Sequence, residues 1–255
     1  STDWQKVAAA LACRSPLTVI TGGPGTGKTY TIVRLMALLD HVVERSGGKP
    51  LHIALAAPTG KAAARVTDSL RSGVAELAQS VALRTELPGA TTLHRLLGIH
   101  RGLDEPLRAR PDKLPYDLII VDECSMLDLA MLHRLLSSIR RDARLVLLGD
   151  HQQLASVGLG NTLGDIVACG GGNRFGMRAT AWLDAVGFAG CEVSPEPLSD
   201  CVVHLTRSRR FADDNDLGAL VSVVRSDSAD RLIEALAAFE GSPLIEWRDP
   251  SKQAF

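Results

Sequence analysis

The stretch Thr21-Gly-Gly-Pro-Gly-Thr-Gly-Lys-Thr-Tyr30 places four glycines, a proline and a lysine between two apolar runs. It contains the pattern G-x-x-x-x-G-K-[ST], which is typical of a phosphate-binding loop. The apolar run at 17–20 predicts a short buried strand before the loop, and the apolar stripe within 32–39 predicts a helix after it. Strand, glycine-rich loop and helix in this order predict a site for a nucleoside triphosphate.

The residue types of this loop suit phosphate chemistry. Glycines allow backbone N–H groups to turn toward a phosphate, and the positive end of the following helix points at the same place. Lys28 would contact the β- and γ-phosphates, and the hydroxyl of Thr29 would bind Mg²⁺. The alternative is a glycine-rich turn that binds nothing. The predicted nucleotide contacts in the loop are Gly22, Gly23, Pro24, Gly25, Thr26, Gly27, Lys28, Thr29 and Tyr30.

Composition limits the class of protein. The 255 residues allow one large or two modest domains, and 45% hydrophobic with 22% charged residues is ordinary for a globular chain. No apolar run reaches the roughly 18 residues of a membrane span, and no secretory signal is evident, so we expect a cytoplasmic protein without membrane contact. The net charge of −1 means that any nucleic-acid surface must be local, and five cysteines without C-x-x-C indicate reduced thiols.

Further apolar runs alternate with predicted helices along the chain. Such unbroken runs are typical of parallel strands buried on both faces, and their alternation with helices predicts a doubly wound, mostly parallel α/β sheet with helices on both faces. Ligands of such sheets bind at the carboxyl ends of the strands. The further predicted strands are 51–57, 118–121, 145–148 and 202–205, with one helix predicted over 91–97 and little periodicity at 169–200.

Polar residues follow two of these strands directly. Asp122 and Glu123 come after 118–121; in a protein with a phosphate loop the first acid would hold Mg²⁺ and the second would act as general base. The alternative is an ordinary acidic turn. The segment 149–154, GDHQQL, follows the next strand, and a glutamine there can sense the γ-phosphate; a plain glycine-led turn is the alternative.

Six blocks of the sequence stand in the order of superfamily 1 helicase motifs. They read GGPGTGKT, APTGKAAARV, TTLHRLLG, IIVDECSM, LLGDHQQLASV and LTRSRRF. Their wording resembles the RecD family, the alpha subunits of exodeoxyribonuclease V, from Gln5 to about Arg225. Stand-alone RecD-like helicases are near relatives.

This resemblance implies a RecA-like phosphate-loop NTPase domain and an ATP-driven, Mg²⁺-dependent motor that moves 5′ to 3′ on single-stranded DNA. The implied partners are single-stranded DNA or duplex ends and the beta and gamma subunits of exodeoxyribonuclease V. Gln5 matches the adenine-reading glutamine of the family, although it also fits a capping box begun by Thr2. The blocks that match DNA contacts contribute Pro58, Thr59, Gly60, Lys61, Thr92 and His94.

The last block departs from the family. Gln153 matches the γ-phosphate-sensing glutamine and Arg210 matches the arginine finger, but the usual S-Y-R-F reads S-R-R-F here. Arg209 is therefore a rival for the finger, and either arginine could instead be a plain ion-pair partner.

Nothing after Phe211 resembles the motifs of the second motor domain of the family, and no nuclease motif is visible. We therefore expect a fragment, with a RecA-like motor domain over 1–206, an irregular insertion at about 169–200, and an incomplete second domain over 207–255. Such a fragment would bind nucleotide weakly and hydrolyse it slowly, without unwinding DNA. A nucleotide-gated assembly module and another phosphate-loop enzyme such as a kinase are the alternative functions.

Overall fold

The computed structural model describes residues 2–77, 87–99, 113–153 and 161–207. Residues 1–206 form one compact unit, and the chain from Arg207 onward is assigned to a second unit. Residues beyond Arg207, with Arg209 and Arg210 among them, lie outside the described residues. The boundary and the incomplete second domain that the sequence indicates therefore stay predictions.

The described residues contain seven α-helices. These are α1 (Trp4–Arg14), α2 (Lys28–Arg45), α3 (Gly60–Leu77), α4 (Leu93–Leu96), α5 (Leu129–Ser138), α6 (Thr162–Ala168) and α7 (Met177–Ala185). Short 3₁₀ turns lie at Cys124–Met126 and Ser199–Cys201. Within the described ranges, no helix is both long enough and apolar enough to cross a membrane.

In the part of the chain that the structure describes, six strands form one sheet in the order β3-β2-β4-β5-β1-β6, and every neighbouring pair is parallel. The strands are β1 (Leu17–Gly22), β2 (Ile53–Ala57), β3 (Thr91–Thr92), β4 (Leu118–Val121), β5 (Arg144–Gly149) and β6 (Val202–Leu205). Strand β1 lies between β5 and β6, with Thr21 opposite both Gly149 and His204. The carboxyl ends of all six strands therefore meet at one edge.

Both faces of the sheet are buried, which explains the unbroken apolar runs. Side chains alternate along each strand, so Ile20 packs with α1 and α2 on one face, whereas Val19 packs with α5 and α6 on the other. Strand β5 repeats this division, with Val146 on the first face and Leu147 on the second. The predicted doubly wound α/β fold is confirmed, and its described strands are parallel throughout.

Two local predictions are wrong. Helix α1 is capped by Asp3, whose carboxylate accepts hydrogen bonds from the backbone N–H groups of Gln5 and Lys6, so Thr2 and Gln5 form no capping box. The segment predicted as one helix over 91–97 begins as strand β3, because the backbone of Thr91–Thr92 pairs with the end of β2 before α4 starts.

The segment 169–200 is more ordered than its weak periodicity indicates. It contains α7 and a parallel bridge between Phe175 and Val193. Phe175 is fully buried in the core cluster of α1 and α2, and its ring lies 6.4 Å from that of Trp4. The segment is therefore packed onto the sheet domain, with the ring of Phe175 as its largest fully buried side chain.

We expect Phe175→Ala to lower the free energy of unfolding by about 3–5 kcal/mol, because it removes a fully buried ring and leaves a cavity. Met177→Ala, at a side chain that is 77% exposed two residues away, should change it by less than about 0.5 kcal/mol. Urea denaturation of both variants measures the difference. Equal midpoints would show that the segment is not anchored at Phe175.

Candidate nucleotide-binding site

The loop between β1 and α2 has the backbone of an anion site. Gly25 and Gly27 adopt φ angles of 77° and 86°, a region that favours glycine, and a Cβ atom on Gly27 would collide with the side-chain amide of Gln5. Helix α2 starts immediately afterwards, and its N-cap, Gly27, provides no side-chain cap. The first N–H groups of an 18-residue helix are thus left for an anionic ligand.

Lys28 points back into this loop. Its Nζ donates to the carbonyl oxygens of Gly22 at 2.6 Å and Gly23 at 3.2 Å. Thr26 Oγ1 donates to the same Gly23 carbonyl at 2.8 Å, which closes the loop on itself. The ammonium group is therefore held within the loop at the start of α2, where Thr29 follows it in the first turn.

Asp122 brings a partly desolvated carboxyl group to the same region. Burial raises its pKa to about 6, against the opposing effects of the Glu123 N–H, which donates to Asp122 Oδ1 at 2.8 Å, and of the Lys28 charge. The two charged groups thus interact across the carboxyl ends of β1 and β4. Carboxylate and threonine hydroxyl oxygens are the hard donors that Mg²⁺ prefers, and Mg²⁺ needs only one or two protein carboxylates.

Glu123 stands at a special backbone position. Its φ of 57° lies in the left-handed region, which is uncommon for a residue other than glycine. Its carbonyl accepts from Met126 N–H at 3.1 Å in the 3₁₀ turn that follows. Backbone strain of this type, about 1–3 kcal/mol, clusters at functional sites. Here the left-handed conformation of Glu123 sets the direction in which the chain leaves β4.

The turn after β5 carries the predicted sensor. Gln153 is exposed, and its N–H donates to the carbonyl of Asp150 at 3.2 Å, while Nε2 lies 3.5 Å from Asp150 Oδ2. Asp150 is only 2% exposed and also accepts from Gln152 N–H, so the turn is fixed at its first residue. Strand β5 lies between β4 and β1, which puts this turn between Asp122 and the phosphate loop.

Gln5 is tied to the loop by a long-range contact. Its Nε2 donates to the carbonyl of Thr26 at 2.9 Å, whereas its buried Oε1 has no hydrogen-bond partner among the described residues. Tyr30, in the first turn of α2, lies under the guanidinium of Arg34, 4.2 Å from its ring centroid. Since buried polar atoms are usually hydrogen-bonded, Gln5 Oε1 is a candidate acceptor for a ligand at this site.

The two predicted DNA blocks lie side by side. Strand β3 pairs with β2 so that Thr92 is opposite Ala57, the residue before Pro58. The hydroxyl oxygens of Thr59 and Thr92 accept the N–H of Ala62 and Arg95, both at 3.2 Å, at the starts of α3 and α4. Each hydroxyl proton is then available to a phosphate oxygen. The exposed residues of this edge are Gly60, Lys61, His94 and Arg95.

The predicted residues fall into three groups. The loop residues, Asp122, Glu123 and Gln153 meet at the carboxyl ends of adjacent strands, and the DNA blocks lie on the other side of β4. Arg210 lies outside the described residues. Sequence reasoning missed the contact between Thr21 and His151, which lie 130 positions apart, and the pairing of His151 with His204 on another strand, because contacts so distant in sequence leave no local signal.

Comparisons with known proteins agree with this geometry. The family model described as an AAA domain matches residues 5–159. The chain is 39% identical to RecBCD enzyme subunit RecD of Haemophilus influenzae over 91% of this chain and 37% of the relative. It is 41% identical to the same subunit of Mycolicibacterium smegmatis over 98% of this chain and 40% of the relative. The resemblance that the six blocks carry is thus confirmed, and the chain spans about two fifths of these relatives.

A solved structure shares the fold. Bacteroides Pif1 bound to single-stranded DNA superposes with a TM-score of 0.50 at 20% identity, over 91% of this chain and 48% of that chain. The Pif1 helicase of Candida albicans gives a TM-score of 0.50 at 18% identity, over 92% of this chain and 46% of that one. The RecA-like phosphate-loop fold is confirmed.

The desolvated carboxylate should cost stability. The pKa of Asp122 is higher in the folded chain, so folding disfavours its charged form above pH 6, and this penalty disappears as the pH falls toward its ordinary value. We expect Asp122→Asn to raise the free energy of unfolding by about 1–3 kcal/mol near pH 7.5 and to have little effect near pH 4. Asp68→Asn, at an exposed carboxylate on α3, is the control, and urea denaturation at both pH values is the measurement. An equal gain in the free energy of unfolding at both pH values would show that the gain does not come from removal of the carboxylate charge.

Proposed function

The chain belongs to the AAA domain family, and on that premise we propose that it is the ATP-hydrolysing motor part of a RecD-type 5′ to 3′ DNA helicase. The observation that carries the proposal is the meeting of Lys28 and Asp122 at the carboxyl ends of β1 and β4, with the turn of Gln153 between them. Phosphate, metal and sensor groups in this arrangement are the parts of a phosphoryl-transfer site.

ATP and Mg²⁺ are the proposed ligands. The phosphates would lie against the uncapped N–H groups of α2, with Lys28 at the β- and γ-phosphates. Mg²⁺ would be held by Thr29 and Asp122, and when bound it neutralises charge that develops on the phosphate oxygens. The raised pKa of Asp122 suits this role, because a bound divalent cation would stabilise the carboxylate charge that burial disfavours.

Three residues would act on the γ-phosphate. Glu123, next to the metal ligand and fixed by its left-handed backbone, would orient and deprotonate the attacking water. Gln153 would sense the γ-phosphate from the turn after β5. Arg210 would stabilise the transferring charge as an arginine finger, a contribution worth about 10³–10⁵ in turnover in related enzymes.

Adenine would be read by Gln5. An amide that donates through Nε2 to Thr26 keeps Oε1 as an acceptor, and the exocyclic amine of adenine is a donor that matches it. The same contact joins base recognition to the phosphate loop. The nucleotide contacts thus run from α1 through the loop to β4.

Single-stranded DNA would bind along the edge made by Pro58–Lys61, Thr92 and His94. Its donors are hydroxyls, backbone N–H groups and exposed cations, which contact phosphates and carry no sequence information. The N–H of Asp122 donates to the carbonyl of Ala56 at 3.0 Å, two residues before Pro58. A shift of the metal ligand would therefore reach the DNA edge through one hydrogen bond between adjacent strands.

The remaining partners follow from the relatives. Because the first relatives are named RecBCD enzyme subunits, we propose the beta and gamma subunits of exodeoxyribonuclease V as partners. The assembly would act in DNA recombination and repair, in the bacterial cytoplasm where its DNA substrate lies. Hydrolysis stimulated by single-stranded DNA separates this motor from a module that only holds partners together.

Lys28→Ala should weaken ATP binding by tenfold or more, about 1.4 kcal/mol per factor of ten, because it removes the cation at the phosphates. Glu123→Gln should leave binding within a factor of about two but lower turnover by about 10²–10⁴, because shape is kept while the base is lost. Fluorescent-nucleotide titration and phosphate release measure the two effects. Glu192→Gln, at an exposed acid in the segment 169–200, is the control, and parental turnover in Glu123→Gln would refute the base assignment.

DNA affinity should fall steeply with salt and barely change with base composition, because the contacts are to phosphates. Lys61→Ala should lower the slope of log affinity against log salt by about 0.7 while leaving ATP affinity unchanged. Lys49→Ala, at an exposed lysine before β2 and so at the opposite edge of the sheet, should change neither quantity. Fluorescence anisotropy with single strands of equal length measures this, and a strong preference for one sequence at matched salt would count against the proposal.

A further inference from the structure

Four residues behind the phosphate loop form a cluster to which the proposed function gives no role. This histidine cluster consists of Thr21 on β1, His151 after β5, His204 on β6 and Asn173 in the segment 169–200. It lies at the carboxyl ends of β5, β1 and β6, whereas Asp122 follows β4, on the far side of β5. His151 stands two residues before Gln153, and Thr21 stands one residue before Gly22.

Thr21 and His151 share two hydrogen bonds. The backbone N–H of His151 donates to Thr21 Oγ1 at 3.3 Å, and His151 Nδ1 lies 2.8 Å from the same oxygen. Thr21 is fully buried, so its hydroxyl proton needs an acceptor, and Nδ1 is the ring atom in reach. We therefore assign His151 as the neutral tautomer that carries its proton on Nε2 and accepts from Thr21 through Nδ1.

His204, on β6, contacts the ring of His151. Its ring meets that of His151 edge to face, with centroids 5.1 Å apart and an interplanar angle of 79°. Its backbone is fixed in both directions by Asn173, which accepts from His204 N–H at 2.7 Å and donates to the His204 carbonyl at 2.9 Å. Burial is the main reason why the pKa of His204 lies below its ordinary value, and the neighbouring His151 ring lowers it further.

The phosphate loop lies directly against this cluster. A Cβ atom on Gly22 would stand 2.8 Å from the carbonyl oxygen of Leu205, the residue after His204, and the Gly22 carbonyl accepts from Lys28. A shift at Thr21 or His204 therefore reaches the atoms that hold the ammonium group. A shift of the turn after β5 reaches the same atoms through His151.

We propose that His151 is a positioning residue, which locks the turn carrying Gln153 to the phosphate loop at Thr21 and to strand β6 at His204. This inference rests on the proposed function, because Gln153 acts as the sensor in it. His151 itself touches neither nucleotide nor metal in this role. It fixes the distance between the sensor and the phosphate loop, and a displacement of about 1 Å between such groups can cost about a hundredfold in rate.

The test compares three variants of the 255-residue chain with the unaltered chain. His151→Leu removes the ring nitrogen, and Thr21→Val removes the hydroxyl with little change in shape. His151→Asn keeps an acceptor at the position of Nδ1 and serves as the conservative variant. Phosphate release with Mg²⁺ and single-stranded DNA gives kcat, nucleotide titration gives the ATP dissociation constant, and hydrogen exchange without nucleotide reports on the amides of residues 21–28.

We expect kcat to fall about ten- to hundredfold in His151→Leu and in Thr21→Val, with the ATP dissociation constant within about threefold. His151→Asn should recover most of the rate. The double variant should be no worse than either single one, because both remove the same contact. Amides 21–28 should exchange faster in His151→Leu but not in His151→Asn.

Unchanged kcat and exchange in His151→Leu, or additive losses in the double variant, would overturn the proposal. So would a His151→Asn variant as impaired as His151→Leu. An unaltered chain that hydrolyses no ATP would contradict the proposed function instead, and the exchange measurement would still decide whether His151 locks the loop.

Discussion

The charges of Lys28 and Asp122 interact at the carboxyl ends of two parallel strands, and each group is partly removed from water. A partly buried charge is tolerable only where hydrogen bonds and an opposite charge offset its desolvation. Lys28 meets this condition through the carbonyls of Gly22 and Gly23, whereas the N–H of Glu123 and the Lys28 charge offset the burial of Asp122 only in part, since its pKa stays raised to about 6. These contacts fix the loop, and the rest of the site is arranged around them.

The parallel sheet connects these two charged groups to the residues that follow its other strands. Since all six strands end at one edge, a residue that follows any strand becomes a neighbour of residues that follow the adjacent strands. The Asp122 N–H bonds to β2 on one side, toward the DNA edge, and the turn after β5 bonds to Thr21 on the other side. The groups proposed to bind nucleotide, to sense the γ-phosphate and to bind DNA are therefore separated by single hydrogen bonds between adjacent strands.

The parts of this arrangement that depend on local pattern could be predicted from the sequence. Apolar runs buried on both faces identify strands, and the spacing of Gly22, Gly27 and Lys28 identifies the loop, because phosphate binding requires those residue types there. Asp122 and Glu123 could be assigned from their position after such a run. Their geometry could not, since the left-handed backbone of Glu123 is set by the packing of the 3₁₀ turn beyond it.

Long-range contacts account for what sequence reasoning missed. The side chain of Gln5 bonds to Thr26 instead of capping its own helix, because Asp3 already holds the free N–H groups of α1. Thr91 and Thr92 form a strand because their backbone pairs with β2. Helix α7 follows Phe175, whose side chain is buried in the core. Each outcome is decided by tertiary packing, which overrides local propensity.

We propose that this site binds a nucleotide through its phosphates and through a divalent cation. Calorimetric titration of the chain with adenosine, AMP, ADP and ATP, each with and without Mg²⁺, tests it most directly. We expect affinity to rise mainly on addition of the β- and γ-phosphates, and we expect Mg²⁺ to strengthen the binding of ATP but not of adenosine. Adenosine that binds as tightly as ATP, or ATP binding indifferent to Mg²⁺, would contradict it.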